Sequence, residues 1–589
     1  MMEHGKAIWK VYTKRADFYR LGEQLGIDPV IARVMVNRGI PEDKMAHYLR
    51  PDKSAFHDPH LMKGVDEAVC LLQQAIACGK HIRVIGDYDV DGIFATYILV
   101  KGLSRCGAKI SYDIPHRIHD GYGINKRMVE RARAEGANLI LTCDNGIKAP
   151  DEVKLAKELG MSVIVTDHHE LGFDLDEKGE RIYQLPEADC IVNPHQPGCE
   201  YPFKNICGAV VAWKLIEALY EKEGFAKESE EFLPFAAFAT LGDVMPLFDE
   251  NRSMVYFGLK MLPRVKNPGM RSLIERTGLS GRISSFDVGF VLGPCFNAAG
   301  RLDTAQRGEE LLLEQDVLKA SAMAEALRNL NEQRKAMTED GLKAALDTIK
   351  AGGLEQDTVL VVHVPGLHES LAGIVAGRIK ERFFRPTYVL TDGENCIKGS
   401  GRSIPGYSMA AKLHDVEDLL IRYGGHPMAA GLSMPSGNVE EFRKRLNENS
   451  GLSEEQLVPT VWIDVPMPLS YITSELIRQL DLLEPFGEGN EKPLFAVRNV
   501  EPLSAGYFGK EQRFVKFFVR GKGGVPMEAL YFRDGPQMIR VLEDRYGAEE
   551  VDKLFHRKRS AVRLTFSYYP TISRYMGQET LQVIIDDYR

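Results

Sequence analysis

The sequence predicts an α/β protein: a parallel sheet with helices on both faces, then a second α/β unit, then a C-terminal β-barrel. Three observations predict it. Between residues 65 and 166 short apolar runs alternate with amphipathic runs of helical length, as strands joined by crossover helices do. The same alternation returns between 357 and 434. Beyond residue 458 it gives way to aromatic-rich alternating runs such as FVKFFVRG, AVRLTFSYYP and LQVIIDDYR, the period of half-buried strands.

At 589 residues the chain exceeds what one core supports, so about three or four domains are expected. With 44% hydrophobic and 27% charged residues it is neither disordered nor fibrous. No apolar run has the length of a bilayer span, and MMEHGKAIWKVYTKRADFYR lacks an apolar signal core, so a cytoplasmic protein is expected. The nine cysteines never form CxxC and read as reduced, packed thiols. A net charge of −9 excludes a polycation; a nucleic-acid partner would have to use local basic patches.

Residues 1–60 read as a small, polar helical arm broken at Pro29, Pro41 and Pro51. Residues 61–308 form the first α/β domain, with helices at 65–78, 126–135 and 150–159 and strands at 81–86, 109–114, 138–142 and 161–166. Residues 309–353 read as one connecting helix, with Met323, Leu327, Leu330, Met337 and Leu342 as its packed stripe. Residues 354–456 form the second α/β domain, and 457–589 the all-β barrel.

The stretch HIRVIGDYDVDGIFAT organises the first domain. Asp87, Asp89 and Asp91 alternate after an apolar run, so an extended backbone would bring them to one face, and Gly92 would then turn the chain into a helix. Packed acids repel, and a divalent cation with oxygen ligands would hold them. Alone, such a loop is equally an Asp-rich turn with one helix cap. Two further strands end alike, with Asp144 in TCDNGI and with Asp167, His168 and His169 in TDHHEL; Asp243 in LGDVMP follows another apolar run. Ligands bind outside the carboxyl ends of parallel strands, so these strand ends are expected to deliver one oxygen-and-nitrogen metal cluster. Two ions about 3.5–4 Å apart can activate water and stabilise both oxygens of a displacement at phosphorus. Asp144, alone on its loop, is the candidate bridge. Asp87, Asp89, Asp91, His168 and Asp243 complete the set, and Asp167 orients a neighbour. Such a site favours Mn or Mg over zinc.

DYDVDG, TCDNGI, DHH and LGDVMP occur in the order and spacing of the DHH phosphoesterase superfamily. IPHRIHDGYGIN, NAAGRLDTA, KGSGRS, GGHPMAAG and LEPFGEGNEKPLF extend the match along nearly the whole chain. The sequence resembles the RecJ single-strand nuclease family. The resemblance implies a DHH catalytic domain, a DHH-associated domain and an OB-fold. It implies a single-stranded-DNA-specific exonuclease working from the 5′ end, releasing mononucleotides in recombination and repair. Its partners would be single-stranded DNA and, on the same ground, single-strand-binding protein and a helicase. It places His169 on the scissile phosphate, makes Asp144 and Asp167 catalytic, and puts Arg117, Arg301, Ser400, Arg402, Ser403 and His426 on the DNA. In KGSGRS, consecutive small residues would also bring backbone N–H groups near an anion. In the barrel, Tyr507, Phe508, Lys510, Arg513 and Lys516 are candidates to stack and pair with a single strand. A cleft between two α/β lobes would exclude a duplex. The competing readings are another phosphodiesterase of the superfamily, such as an oligoribonuclease or cyclic-dinucleotide hydrolase, and a non-catalytic nucleic-acid-binding scaffold.

Overall fold

The computed structural model describes residues 7–175, 181–575 and 578–589. The chain forms two compact units. One comprises Pro51–Met337 with Pro485–Glu491; the other comprises Met1–Arg50, Thr338–Glu484 and Lys492–Arg589.

In the first unit five parallel strands run in the order Lys109–Asp113, His81–Ile85, Leu139–Cys143, Ser162–Thr166, Cys190–Val192. Leu139–Cys143 is buried along its whole length, as a central strand covered on both faces must be. Helix Val90–Arg105 is buried on nearly every side because helices Gly208–Glu223 and Leu233–Gly242 both pack on it. Phe94 stacks on Phe238 with ring centroids 4.5 Å apart, and Phe296 meets it edge-on at 5.0 Å. Each fully buried ring of this kind contributes about 1.5–3 kcal/mol. This aromatic floor fixes the helix that carries the first acidic loop.

The four expected strands and three expected helices stand within a few residues of their positions. Cys190–Val192 and the hairpin Gly172–Leu175 with Arg181–Gln184 escaped the reading, since three or four residues carry no measurable period. The connecting helix is Val317–Ala351, not 309–353. A separate helix, Gln306–Leu313, ends where Glu314 turns extended, and Asp316 then accepts the Lys319 N–H at 2.9 Å to start the next.

Glu309 on that short helix is fully buried, and neither carboxyl oxygen has a hydrogen-bond partner. Burial pushes its pKa well above the ordinary range. The folded chain therefore holds a proton that the unfolded chain releases above about pH 4.5. Stability is full below that pH and falls as pH rises toward the folded pKa. Glu309→Met, similar in length and apolar, is expected to raise stability by about 1–3 kcal/mol at pH 8 and by less at pH 5. Thermal melts at the two pH values measure it; equal gains at both would show that the carboxyl is not held neutral.

In the second unit residues 7–50 are not simply a helical arm. Strand Ile8–Val11 pairs in parallel with Thr460–Ile463, and Trp9 Nε1 donates to Asp587 at 2.8 Å. The pairing partner lies some 450 residues away, so no local pattern announces it. A five-stranded sheet runs Arg422–His426, Ala429–Met434, Ile397–Arg402, Thr387–Asp392, Leu360–His363, with only the last pair parallel. KGSGRS lies in its middle strand, paired on both sides. Its backbone N–H groups therefore serve the ladder and do not cradle an anion. Seven strands form the C-terminal sheet, but the segment is not all-β: helices Gly535–Tyr546 and Ala548–Phe555 interrupt it. Met538, Ile539, Leu542, Val551 and Leu554 are their buried faces.

Candidate metal centre

Strand His81–Ile85 delivers Asp87, which is fully buried. Its Oδ1 accepts the Gly123 N–H at 3.1 Å, and its Oδ2 has no hydrogen-bond partner. Asp89 caps helix Val90–Arg105, accepting the N–H groups of Asp91 and Gly92 at 2.9 and 3.1 Å. Asp91 therefore sits in the first helical turn, not on an extended run as the alternation implied. Its two oxygens accept the Gly208 and Ala209 N–H groups at 2.6 and 2.8 Å, the N-terminus of helix Gly208–Glu223, where a negative charge is favoured. Gly92 is needed for space, not for a turn: a Cβ there would stand 2.5 Å from the Asp87 carbonyl oxygen.

Asp144 follows Leu139–Cys143 with φ of +59°, in the left-handed region. Tyr122 donates its hydroxyl to the Asp144 carbonyl at 2.7 Å. Asp144 Oδ1 has no hydrogen-bond partner, and His168 Nε2 lies 3.1 Å from it. The same nitrogen is 3.6 Å from Asp91 and 3.7 Å from Asp243. Asp243 closes the set from the end of helix Leu233–Gly242, so it stands at a helix end and not at a strand end. Both oxygens of Asp167 are occupied by protein donors. Oδ1 takes the N–H groups of His168 and His169 and meets His169 Nδ1 at 2.8 Å, while Oδ2 takes the Ile147 N–H at 2.9 Å.

Among the described residues, three sets of ligand atoms each lie within 4.8 Å of one another: Asp87, Asp89, Asp144; Asp91, His168, Asp243; and Asp144, His168, His169. Asp144 and His168 each belong to two of them. Burial, then the neighbouring carboxylates, push Asp87 and Asp144 well above the ordinary range and Asp243 up to about 9. Burial also keeps His168 neutral, which suits a ligand. For His169, burial opposes the charge, but its hydrogen bond to Asp167 prevails and raises its pKa. For Asp167, burial acts upward and the His169 ring outweighs it, so the carboxylate stays charged. Crowded acids with unpartnered oxygens are what a divalent cation would relieve. Carboxylates with imidazole and no thiolate ligand fit Mn2+ or Mg2+.

A cavity of about 270 Å³ opens on the cluster, and Arg117, Asn297 and Arg301 line it with the acids. Arg117 rests on the Tyr88 ring at 4.6 Å. Tyr88, Tyr122, Asn297 and the Gly208 and Ala209 amides escaped sequence reading, because none carries a metal-ligand pattern.

The remaining candidates belong to the second unit. Arg402 donates to Ser400 Oγ at 3.1 Å. The Ser403 hydroxyl is buried and donates to the Tyr407 carbonyl at 2.6 Å. It is already used, which corrects the expectation that it meets a phosphate. His426 is exposed at the end of the edge strand Arg422–His426. Lys510 and Arg513 are exposed beside the turn Lys510–Gln512. Lys516 instead pairs with Glu528 at 3.0 Å, Tyr507 stacks on Phe555, and Phe508 packs on Phe514 and Phe532.

Residues 81–240 match the DHH family, N-terminal domain, residues 356–450 the DHHA1 domain and residues 463–587 the RecJ OB domain. A Salmonella typhimurium protein, single-stranded-DNA-specific exonuclease RecJ, is 34% identical over 585 residues, covering 95% of this chain and 96% of that one. The chain belongs to the RecJ family. The Bacillus subtilis RecJ is 37% identical over 537 residues, 90% of this chain, which spans 66% of that longer relative. The crystal structure of Thermus thermophilus RecJ in complex with Mn2+ superposes with a TM-score of 0.81 at 30% identity, over 99% of this chain and 80% of that one. The Mg2+ complex gives 0.76 at 28% identity, over 99% and 78%. RecJ thus occurs with both cations that the donor set here favours.

Proposed function

We propose that this RecJ-family chain is a divalent-metal-dependent exonuclease that hydrolyses single-stranded DNA from the 5′ end and releases mononucleotides, in recombination and repair. The observation that carries the reading is the pair of buried carboxylate oxygens, on Asp87 and Asp144, left without a hydrogen-bond partner within a cluster of seven potential ligands among the described residues. Asp87, Asp89, Asp91, Asp144, His168 and Asp243 would hold two Mn2+ or Mg2+ ions, which when bound neutralise phosphate charge and activate water. Asp144 lies in reach of Asp87 and Asp89 on one side and of His168 on the other, which supports it as the ligand the two ions would share. Asp167 holds His169 charged and oriented, so that His169 can donate to a phosphate oxygen. Arg117 and Arg301 put positive charge on the same cavity wall, where it would steady the non-bridging oxygens. In the second unit Ser400, Arg402 and His426 would hold the strand's 5′ end, and Lys510 and Arg513 its backbone. The reading extends to a cytoplasmic DNA-processing role, with single-strand-binding protein and a helicase as the proposed protein partners.

The reading is tested with 5′- and 3′-labelled oligonucleotides in Mn2+ or Mg2+. Label is expected to leave the 5′ end first, as mononucleotide, and a blunt duplex is expected to resist. Equal rates on strand and duplex, or cuts inside the strand, would overturn it. A cyclic dinucleotide hydrolysed faster than a 12-mer would reassign the site within the superfamily.

A further inference from the structure

A second cavity, of about 580 Å³, lies in the first unit and shares no lining residue with the metal cavity. That volume is within the range of small-molecule sites, about 300–1,000 Å³. Its floor is apolar and partly aromatic, built from the buried residues Tyr97, Pro234, Phe235 and Val265. Tyr97 and Phe235 pack with ring centroids 4.7 Å apart, which fixes that floor. The Tyr97 hydroxyl accepts from Asn267 Nδ2 at 3.1 Å, so its own proton can be donated to a bound molecule.

The rim carries Lys101, Lys260, Arg264 and Lys266. Two acids also line the cavity, and each is taken by a cation from outside it: Glu230 pairs with Lys53 at 2.6 Å and Glu231 with Arg105 at 3.3 Å. Lys260 rests on the Tyr256 ring at 3.7 Å. Among the described residues, none of the four rim cations forms an ion pair. In a chain of net charge −9, four unpaired cations around one hollow form a local excess of positive charge. Like charges repel, and a multiply charged anion would relieve them.

The cavity stands apart from the metal centre. Lys101 follows Asp91 on helix Val90–Arg105 by ten residues, about 15 Å along the axis. Phe235 lies in the first turn of helix Leu233–Gly242, and Asp243 stands at its other end, about 12 Å away. That first turn is the positive end of its helix and forms part of the cavity wall.

We propose that this cavity binds a nucleoside di- or triphosphate, with the base on the Tyr97–Phe235 floor and the phosphates on Lys101, Lys260, Arg264 and Lys266. Pyrophosphate would satisfy the rim and leave the floor in water. An uncharged aromatic would cover the floor and leave the rim cations repelling one another. A nucleoside polyphosphate carries a flat ring and several negative charges on one small molecule, and so answers both. The proposal does not rest on the exonuclease reading, since neither a metal ion nor a strand takes part in it.

The test titrates the full-length chain in chelator with the di- and triphosphates of adenosine, guanosine, cytidine and uridine, and with pyrophosphate and the four free nucleosides. Chelator removes the cations that would let a nucleotide bridge to the acidic cluster. Calorimetry is expected to show at least one nucleotide bound in a one-to-one complex, about tenfold or more tighter than pyrophosphate or its own nucleoside. R264Q/K266Q alters two exposed side chains and is expected to weaken that binding about tenfold or more with an unchanged melt. Should R264Q/K266Q melt early, Lys101→Gln, on a different helix, is expected to show the same loss. Failure of every nucleotide to bind would overturn the proposal, and so would pyrophosphate bound as tightly as the nucleotide. Binding untouched by all three substitutions would put the nucleotide elsewhere and overturn it as well. An acidic hexapeptide bound in place of every nucleotide would assign the cavity to a protein partner, and that result too would end the proposal.

Discussion

Asp144→Asn is expected to reduce metal-dependent hydrolysis by about a thousandfold or more while the chain stays folded. Asparagine is the informative replacement because Asp144 holds a φ of +59°, which Asn tolerates and alanine does not. Shape and backbone are kept, and only the charge is lost. The magnitude follows from removing a group that stabilises charge in a buried site, where single donors already account for about 10²–10³, and Asp144 belongs to two ligand sets at once. The metal-free fold should gain. Burial and the neighbouring carboxylates hold Asp144 and Asp87 well above the ordinary range and bring Asp243 to about 9. These groups keep protons when folded and lose them when unfolded, so in chelator stability falls as pH rises from about 4 toward 9. Asp144→Asn should flatten that slope. Turnover at saturating Mn2+ and melts in chelator at several pH values measure both effects. Near-normal turnover would remove Asp144 from the centre.

The second large effect concerns a residue with no chemistry of its own. A Cβ on Gly208 would stand 2.6 Å from Asp144 Cβ, 2.9 Å from its Cα and 3.0 Å from Asp91 Oδ2. Two of these neighbours are anchored by the backbone and cannot swing away. Gly208→Ala must therefore either lift the helix N-terminus off Asp91, lengthening its hydrogen bonds of 2.6 and 2.8 Å, or push Asp144 out of place. Disturbing the groups that orient ligands costs about 10–100-fold in metal affinity, and overpacking a filled site costs about 1–3 kcal/mol. Gly208→Ala is expected to show both, with turnover down about a hundredfold at fixed Mn2+. Calorimetric titration of Mn2+ into the variant reads the affinity directly. Wild-type affinity would show that the two acids do not depend on this close approach.

Sequence alone determined the parallel sheet, because strand and helix periods are local and each element here spans several of them. It also placed Asp87, Asp144, Asp167 and His168 at strand ends, since an acid just past a buried apolar run has few other places to go. Tertiary structure decided what each of these groups does. Asp91 is anchored by amides 117 residues further on, Asp167 is saturated by protein donors, and Ser403 spends its hydroxyl on Tyr407. The physical reason is the same throughout. A period records which face of an element is buried, whereas a polar group's role depends on which partner satisfies it, and that partner is chosen by packing between segments that the sequence keeps far apart.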